Sequence, residues 1–265
     1  MGKVVFVKSW QPIFAESGLK LFEDFFDYSG GQRIGKNNKR EVITFHLGRA
    51  EAKKQFFMKR FFNPHLKDML FTLRNFGRFC SQAACEWKNA NILLQNNIDT
   101  YKPICYGERI NYGLEKKSFF LTEKLPGSCL TNFVADNWSQ LTQQRKEKII
   151  VSLAKLIRRV HNARISLPDL YVWHIFITEK PNGEYDFAII DLHRMKQNVT
   201  NKNQQIRNLA RLHHSMRDKY FDDKIKQLFI ESYAADNWPS DVGSLVAKIK
   251  SHSKKISTRR NPKEY

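Results

Sequence analysis

The chain has 265 residues, 42% hydrophobic and 13% aromatic, with 20 Phe and 5 Trp. That is enough apolar matter for a sizeable core, in one large domain or two coupled lobes, and it excludes a disordered chain. Forty-five Lys and Arg against 26 Asp and Glu leave a net charge of +19, which favours polyanionic partners: nucleic acid, an anionic membrane leaflet, or ATP and phosphorylated glycolipids.

The first eight residues are too poor in apolar side chains for a signal peptide. Gly2 is not followed by the Ser or Thr at position six that a myristoylation signal needs, because Phe6 stands there. No run approaches the ~18 apolar residues of a membrane span, so a cytoplasmic location is expected, with the inner membrane face as a resting surface. Trp10, Phe14, Leu21, Phe22, Phe25 and Phe26 make residues 1–28 an amphipathic leader, more suited to packing on a lobe than to lipid.

Ser29–Lys36 carries Gly30, Gly31 and Gly35 and precedes two apolar runs, 42–47 and 55–62. This predicts a β-rich start with a glycine-bearing turn, in which Gly30 and Gly31 serve a tight bend with φ > 0. Lys59 lies inside the second run. An unpaired ammonium there is costly, so it needs an anionic partner unless it sits on the solvent face of an edge strand. Alternation puts Phe57 and Lys59 on one face and Phe56 and Met58 on the other. Residues 66–96 have helical period through Leu66, Met69, Leu70 and Leu73, with Gly77 breaking the run. Beyond it Ala83, Ala84, Trp87 and Ala90 form an apolar stripe flanked by Glu86.

Tyr101–Glu108 and Ser118–Leu125 read as strands, the second ended by Pro126-Gly127. Residues 139–162 form a helix capped by Ser139 or Thr142, with Ile149, Ile150, Leu153, Leu156, Ile157 and Val160 on one face. Cys80, Cys85, Cys105 and Cys129 make no C-x-x-C pair and have no histidine cluster beside them. Zinc and a structural disulfide are therefore not expected, and reduced buried thiols are.

Asp169 and His174 precede a short strand, Ile175–Thr178, and Asp191 follows another, Phe187–Ile190. Pro181, Asn182 and Gly183 between them have hairpin chemistry. A hairpin returns its ends to one edge, which brings Asp169 and His174 near Asp191. Further helices are expected around 209–216 and 224–235. Residues 248–265, with Lys248, Lys250, Lys254, Lys255, Arg259, Arg260 and Lys263, read as a disordered tail or a basic patch for lipid phosphate or core sugars.

A protein-kinase catalytic loop spaces its base and a metal-binding Asn as D-x-x-x-x-N, followed later by a metal-binding Asp. Here the spacing runs from Asp169 to His174 and then Asp191, with D-L-H in place of D-F-G. Through Asp169-Leu170-Tyr171 with His174, then Ile190-Asp191-Leu192-His193-Arg194, the chain resembles the lipopolysaccharide core heptose kinase family over about residues 30–215. The resemblance implies an α+β, protein-kinase-like bilobal fold with a small β-rich N-lobe and a mainly helical C-lobe. The parts would be a leader 1–28, N-lobe 29–125, C-lobe 126–247 and basic tail 248–265.

It further implies an ATP- and Mg²⁺-dependent phosphotransferase acting on an alcohol group of a lipopolysaccharide core sugar: a heptose, or in a nearby alternative Kdo. Asp169 would be the catalytic base, and His174 and Asp191 the metal ligands. Lys59 matches the family's third-strand lysine and would hold the phosphates, set by Glu86. Gly30 and Gly31 would cover phosphates, and backbone groups near Glu123 and Leu125 would bind adenine. Mg²⁺ prefers oxygen, so His174 either binds metal weakly or acts on a phosphate.

Leu167-Pro168 replaces the usual His-Arg before the base, and no long activation segment follows Asp191. Control by activation-loop phosphorylation is therefore not expected, and a small acceptor fits better than a protein. The altered Asn and D-F-G positions leave an inactive pseudokinase scaffold as a rival, which Lys59, Asp169 and Asp191 oppose. No nucleic-acid-binding motif is present, and no nucleic acid partner is expected.

Overall fold

The aromatic and β-branched residues of the first half fold, in the computed structural model, into one antiparallel sheet. The structure describes residues 2–48, 53–62, 64, 66–235, 241–258 and 264–265. The chain divides into two units: Met1–Gln95 with Thr100–Leu125, and Asn96–Asp99 with Pro126–Tyr265.

In the first unit β1 (Lys3–Phe6), β2 (Gln32–Lys36), β3 (Arg40–Leu47), β4 (Lys54–Phe62), β5 (Pro103–Asn111) and β6 (Leu114–Glu123) lie in the order β1-β5-β6-β4-β3-β2. The alternation around Lys59 decides the two faces. Phe56 and Met58 join Ile43, Phe45, Phe119 and Leu121 in a core closed by α1 (Gln11–Glu16) and α2 (Phe22–Phe26). Phe14 lies 5.3 Å from Phe56, and Phe25 stacks on Phe119 at 4.9 Å. Each such pair contributes about 0.5–1.5 kcal/mol beyond its buried area. The leader is thus built into this unit: it supplies β1 and the rings that cover an otherwise bare sheet face. The opposite face receives α4 (Gln82–Gln95), which packs on β4, β5 and β6. Gly77, at φ +67°, separates α4 from α3 (Leu66–Phe76). The side chains of Leu66 and Met69 lie outside the described set.

The expected glycine turn is corrected. Gly30 and Gly31 precede β2, and neither has positive φ. The β2–β3 turn is Asn37-Asn38-Lys39, where Asn37 Oδ1 accepts the N–H groups of Lys39 and Arg40 at 2.9 Å, an Asx turn that needs no glycine. Close packing explains the two glycines instead. A Cβ on Gly30 would lie 2.6 Å from the Tyr28 hydroxyl, and one on Gly31 2.9 Å from Ile43.

In the second unit β7 (Ser128–Cys129), β8 (Ile175–Glu179) and β9 (Tyr185–Ile189) form a small antiparallel sheet. The helices are α5 (Leu130–Asn137), α6 (Gln143–Asn162), α7 (Lys202–Ser215), α8 (Asp223–Ala234) and α9 (Val242–Ser257). Thr142 caps α6, accepting the Arg145 N–H at 3.4 Å, while Ser139 falls in a 3₁₀ turn, Trp138–Gln140. The apolar stripe of α6 is buried, and α6 packs on α8.

Of the two readings of the tail, disorder is corrected for residues 248–257. Residues 248–257 belong to α9, because Leu245, Ile249 and Ser253 recur every four residues and bury one face of an otherwise cationic helix that packs on α7. Arg259, Arg260 and Lys263 lie outside the described residues. None of the four cysteines is in a disulfide; Cys85 and Cys105 are buried, Cys80 and Cys129 half-buried. Burial pushes the Cys85 and Cys105 thiols up, away from thiolate chemistry.

Candidate active site

In the first unit β4 presents Lys59 on the α4 face. Its ammonium lies 2.8 and 3.1 Å from the two carboxylate oxygens of Glu86. Glu86 is wholly buried, whereas the Lys59 side chain keeps 22% of its surface. Tyr101 at the start of the segment leading into β5 donates its hydroxyl to Glu86 Oε2 at 2.9 Å. The buried carboxylate thus meets an ammonium and a phenol, as a desolvated charge requires. Lys59 is held with its nitrogen 5.7 Å from the Tyr101 ring centre. Tyr101 was not foreseen as a site residue, because nothing in its local pattern points at a helix carboxylate.

On the opposite sheet face Arg60 is buried. It donates to Glu41 at 3.2 Å, to the Phe25 carbonyl at 3.0 Å and to the Tyr28 carbonyl. This ties the end of α2 to Lys59's own strand. Glu123 ends β6, where its side chain pairs with Lys54 at 2.9 Å and its N–H bonds the Lys102 carbonyl at 3.2 Å. Leu125 closes the unit. Gly30 and Gly31 stand at the entry to β2, and the Asn37–Lys39 turn lies at its other end.

In the second unit the β8–β9 hairpin does what its spacing predicts. The Ile190 N–H bonds the His174 carbonyl at 2.9 Å, and Ser166 and Lys196 exchange backbone bonds of 2.9 Å. The segments holding Asp169, His174 and Asp191 are therefore stitched together on both sides. His174 Nδ1 lies 2.8 Å from the Asp169 carbonyl oxygen. A carbonyl only accepts, so Nδ1 carries the proton. Nε2 is then turned to Asp191 Oδ2, 3.5 Å away. The other Asp191 oxygen bonds His193 Nδ1 at 2.9 Å. Arg194 donates to the Asp169 carboxylate at 3.0 and 3.4 Å. Asp191 has φ +62°, a left-handed conformation that Asp tolerates better than most residues.

His193 and Arg194 lie in the motif around Asp191, and the geometry gives each a carboxylate partner. Asn208 stands in no motif. This buried amide on α7 accepts the Leu167 N–H at 2.9 Å, the Ser166 hydroxyl at 3.1 Å and His161 Nε2 at 3.3 Å. His161 Nδ1 meets the Tyr233 hydroxyl at 2.8 Å. Asn208 Oδ1 only accepts, so Nε2 donates; burial pushes His161 down to about 4, against the opposing bond to Asn208, which keeps the ring neutral and leaves Nδ1 to accept from the Tyr233 hydroxyl.

Residues 26–233 match the lipopolysaccharide kinase (Kdo/WaaP) family. The chain is similar to the lipopolysaccharide core heptose(I) kinase WaaP of Pseudomonas aeruginosa, 27% identical over 154 residues, which are 56% of this chain and 58% of that protein. It is also similar to the protein of that name from Escherichia coli K12, 30% identical over 170 residues, 62% of each. The chain thus matches about three-fifths of the length of these relatives. A solved structure described as WaaP in complex with acyl carrier protein aligns with a TM-score of 0.70 at 20% identity, over 96% of this chain and 99% of that one. The fold is accordingly α+β and protein-kinase-like.

Proposed function

The chain belongs to the lipopolysaccharide kinase (Kdo/WaaP) family, and from that premise we propose that it transfers the γ-phosphate of ATP to a heptose hydroxyl of the lipopolysaccharide inner core. The observation that carries this reading is the group on the β8–β9 hairpin: His174 joined to Asp169 at 2.8 Å and facing Asp191 at 3.5 Å. Asp169 would orient the acceptor hydroxyl and take its proton. Arg194 would hold that carboxylate in place. Lys59, set by Glu86 and Tyr101, would hold the nucleotide phosphates, with adenine on backbone groups near Glu123 and Leu125. The Asn37–Lys39 turn suits the phosphate cover better than Gly30 and Gly31, because it is the tip of the first hairpin.

His174 Nε2 and Asp191 Oδ2, 3.5 Å apart, would make a donor pair for a divalent cation. His174 and Asp191 would hold it, with His193 fixing the carboxylate. Mg²⁺ bound there would neutralise charge on the phosphate oxygens. Tyr171 stacks on Trp173 at 4.6 Å between the two motif residues, a half-buried aromatic face suited to a sugar ring. The family's description also names Kdo, so a Kdo hydroxyl is the second reading.

Among the described residues no helix is long and apolar enough to cross a membrane. The charge of +19 suits peripheral binding at the anionic inner face, where the acceptor would be met. The complex of the structural neighbour makes acyl carrier protein a further partner to test.

The decisive experiment follows labelled γ-phosphate from ATP into purified lipopolysaccharide core, wild type beside Asp169→Asn. Incorporation that the folded variant lacks supports the reading. ATP binding without incorporation would overturn the heptose assignment in favour of a different sugar acceptor; neither incorporation nor ATP binding would overturn the kinase reading in favour of a pseudokinase.

A further inference from the structure

Helices α7, α8 and α9 border a cavity of about 520 Å³ that none of the proposed catalytic residues lines. Ligand sites commonly have about this size, but their walls are mostly apolar; this wall is charged. Arg217, Lys219, Lys226 and Lys250 face it, against Asp218 and Asp223. Lys226 is the telling member. Its side chain is only 8% exposed, yet its ion-pair partner Asp218 is 90% exposed. A buried ammonium is expensive to keep, and here it is answered by one carboxylate that stands mostly in water.

His213 also lines the cavity. Its Nδ1 is engaged with Ser253 Oγ at 3.1 Å. Burial, with the ammonium groups of Lys226 and Lys250, pushes His213 down to about 4, although Asp218 and Asp223 oppose this. The wall therefore stays cationic through its Lys and Arg side chains, and a ligand oxygen in the cavity would meet several of them at once.

We propose that this cavity is a binding site for a phosphate group, borne by a sugar phosphate or by a phosphorylated lipid headgroup. Arg offers a planar fork and Lys a point charge, the pairing that phosphate oxygens use. The concave wall holds one headgroup rather than a polymer backbone. This inference does not depend on the proposed transfer reaction.

The test is calorimetric titration of the full chain with inorganic phosphate, comparing wild type with Lys250→Gln and Arg217→Gln. Lys250 is exposed, so its replacement leaves folding intact. Lys255→Gln, on the same helix but outside the cavity lining, controls for net charge. One phosphate per chain is expected, with each cavity variant weaker by about tenfold or more, the size of one lost charge-assisted hydrogen bond. Lys255→Gln should titrate like wild type. Absence of phosphate binding, or equal weakening by Lys255→Gln, overturns the site. Vesicles of phosphatidylcholine carrying phosphatidic acid or phosphatidylglycerol at equal charge then identify the source. Vesicle binding that Lys250→Gln removes assigns a lipid headgroup, a phosphomonoester where phosphatidic acid is preferred; phosphate binding with no Lys250-dependent vesicle binding assigns a soluble sugar phosphate.

Discussion

Replacing Asn208 by alanine should damage this protein more than any other single change far from the reacting groups. One amide oxygen serves three buried donors: the Leu167 N–H, the Ser166 hydroxyl and His161 Nε2. A buried donor left without an acceptor costs about 1–3 kcal/mol. The Ser166 hydroxyl can turn elsewhere and His161 can shift, but the Leu167 N–H is fixed two residues before Asp169. A loss of about 3–5 kcal/mol is therefore expected, which for a chain of this size lowers Tm by roughly 5–10 °C. The same change frees the turn that aims Asp169, and a misplacement of about 1 Å can cost ~10²-fold in rate. Calorimetric unfolding and the kinetics of the proposed transfer would be measured together. We expect kcat to fall with the KM for ATP nearly unchanged, and Asn208→Asp, which keeps the acceptor, to restore most of both. A Tm within about 2 °C of wild type for Asn208→Ala would refute the reasoning, since it would mean the three donors find other partners.

Lys59→Met removes the ammonium from the buried Glu86 carboxylate; breaking a buried pair costs ~3–5 kcal/mol, discounted to about 2–3 because Lys59 is partly exposed. Denaturant unfolding checks this, and unchanged stability would count against a strong Lys59–Glu86 pair. Asp169→Asn should cut the proposed transfer by about 10²–10⁴ while Tm moves by only a few degrees, since its Arg194 partner is more than half exposed. Glu115 is pushed up from 4.5 to about 7 by burial, against bonds from Ser118 and the Gln82 N–H. An acid whose folded pKa is raised contributes fully below its unfolded pKa and loses that contribution as pH rises through the folded one. Stability should thus decline between roughly pH 4.5 and 7 on this account. Glu115→Gln should flatten the decline and raise stability at pH 8 by up to about 3 kcal/mol; urea midpoints at pH 4.5 and 8 test it.

The parts of the fold that could be read in the sequence were those with strong local signals. The β8–β9 hairpin had Asn182-Gly183, α6 had its apolar period and Thr142, and Lys59 had an alternation that assigned its face. What escaped depended on partners distant in the chain. Nothing near Tyr101 or Asn208 says that a carboxylate or a backbone N–H will arrive there. Nor does anything near Arg60 announce the Phe25 and Tyr28 carbonyls that make a buried guanidinium tolerable. The Lys-rich end looked like a solvated tail because charge outnumbered apolar residues, although Leu245 and Ile249 were enough to seat α9. The glycines misled for a related reason: glycine signals either a turn or a close approach, and only the neighbours Tyr28 and Ile43 decide which.

The two departures from the common kinase pattern, His174 and His193, bear on whether the site is a relic. A decayed site would be expected to let its polar groups drift. Here Asp191 keeps φ +62°, a left-handed conformation that Asp adopts at little cost. Its two oxygens are addressed separately, one by His193 at 2.9 Å and the other by His174 at 3.5 Å. The two unusual residues thus act on one carboxylate, as replacements that accommodate each other. His174 is in turn fixed through the Asp169 carbonyl, so the proposed base and the proposed metal ligand share one imidazole. A change at His174 would disturb both at once, a coupling that an Asn of the usual pattern could reproduce only by reaching both groups from a shorter side chain. The departures therefore favour a site rebuilt around imidazole over one that has lost its chemistry.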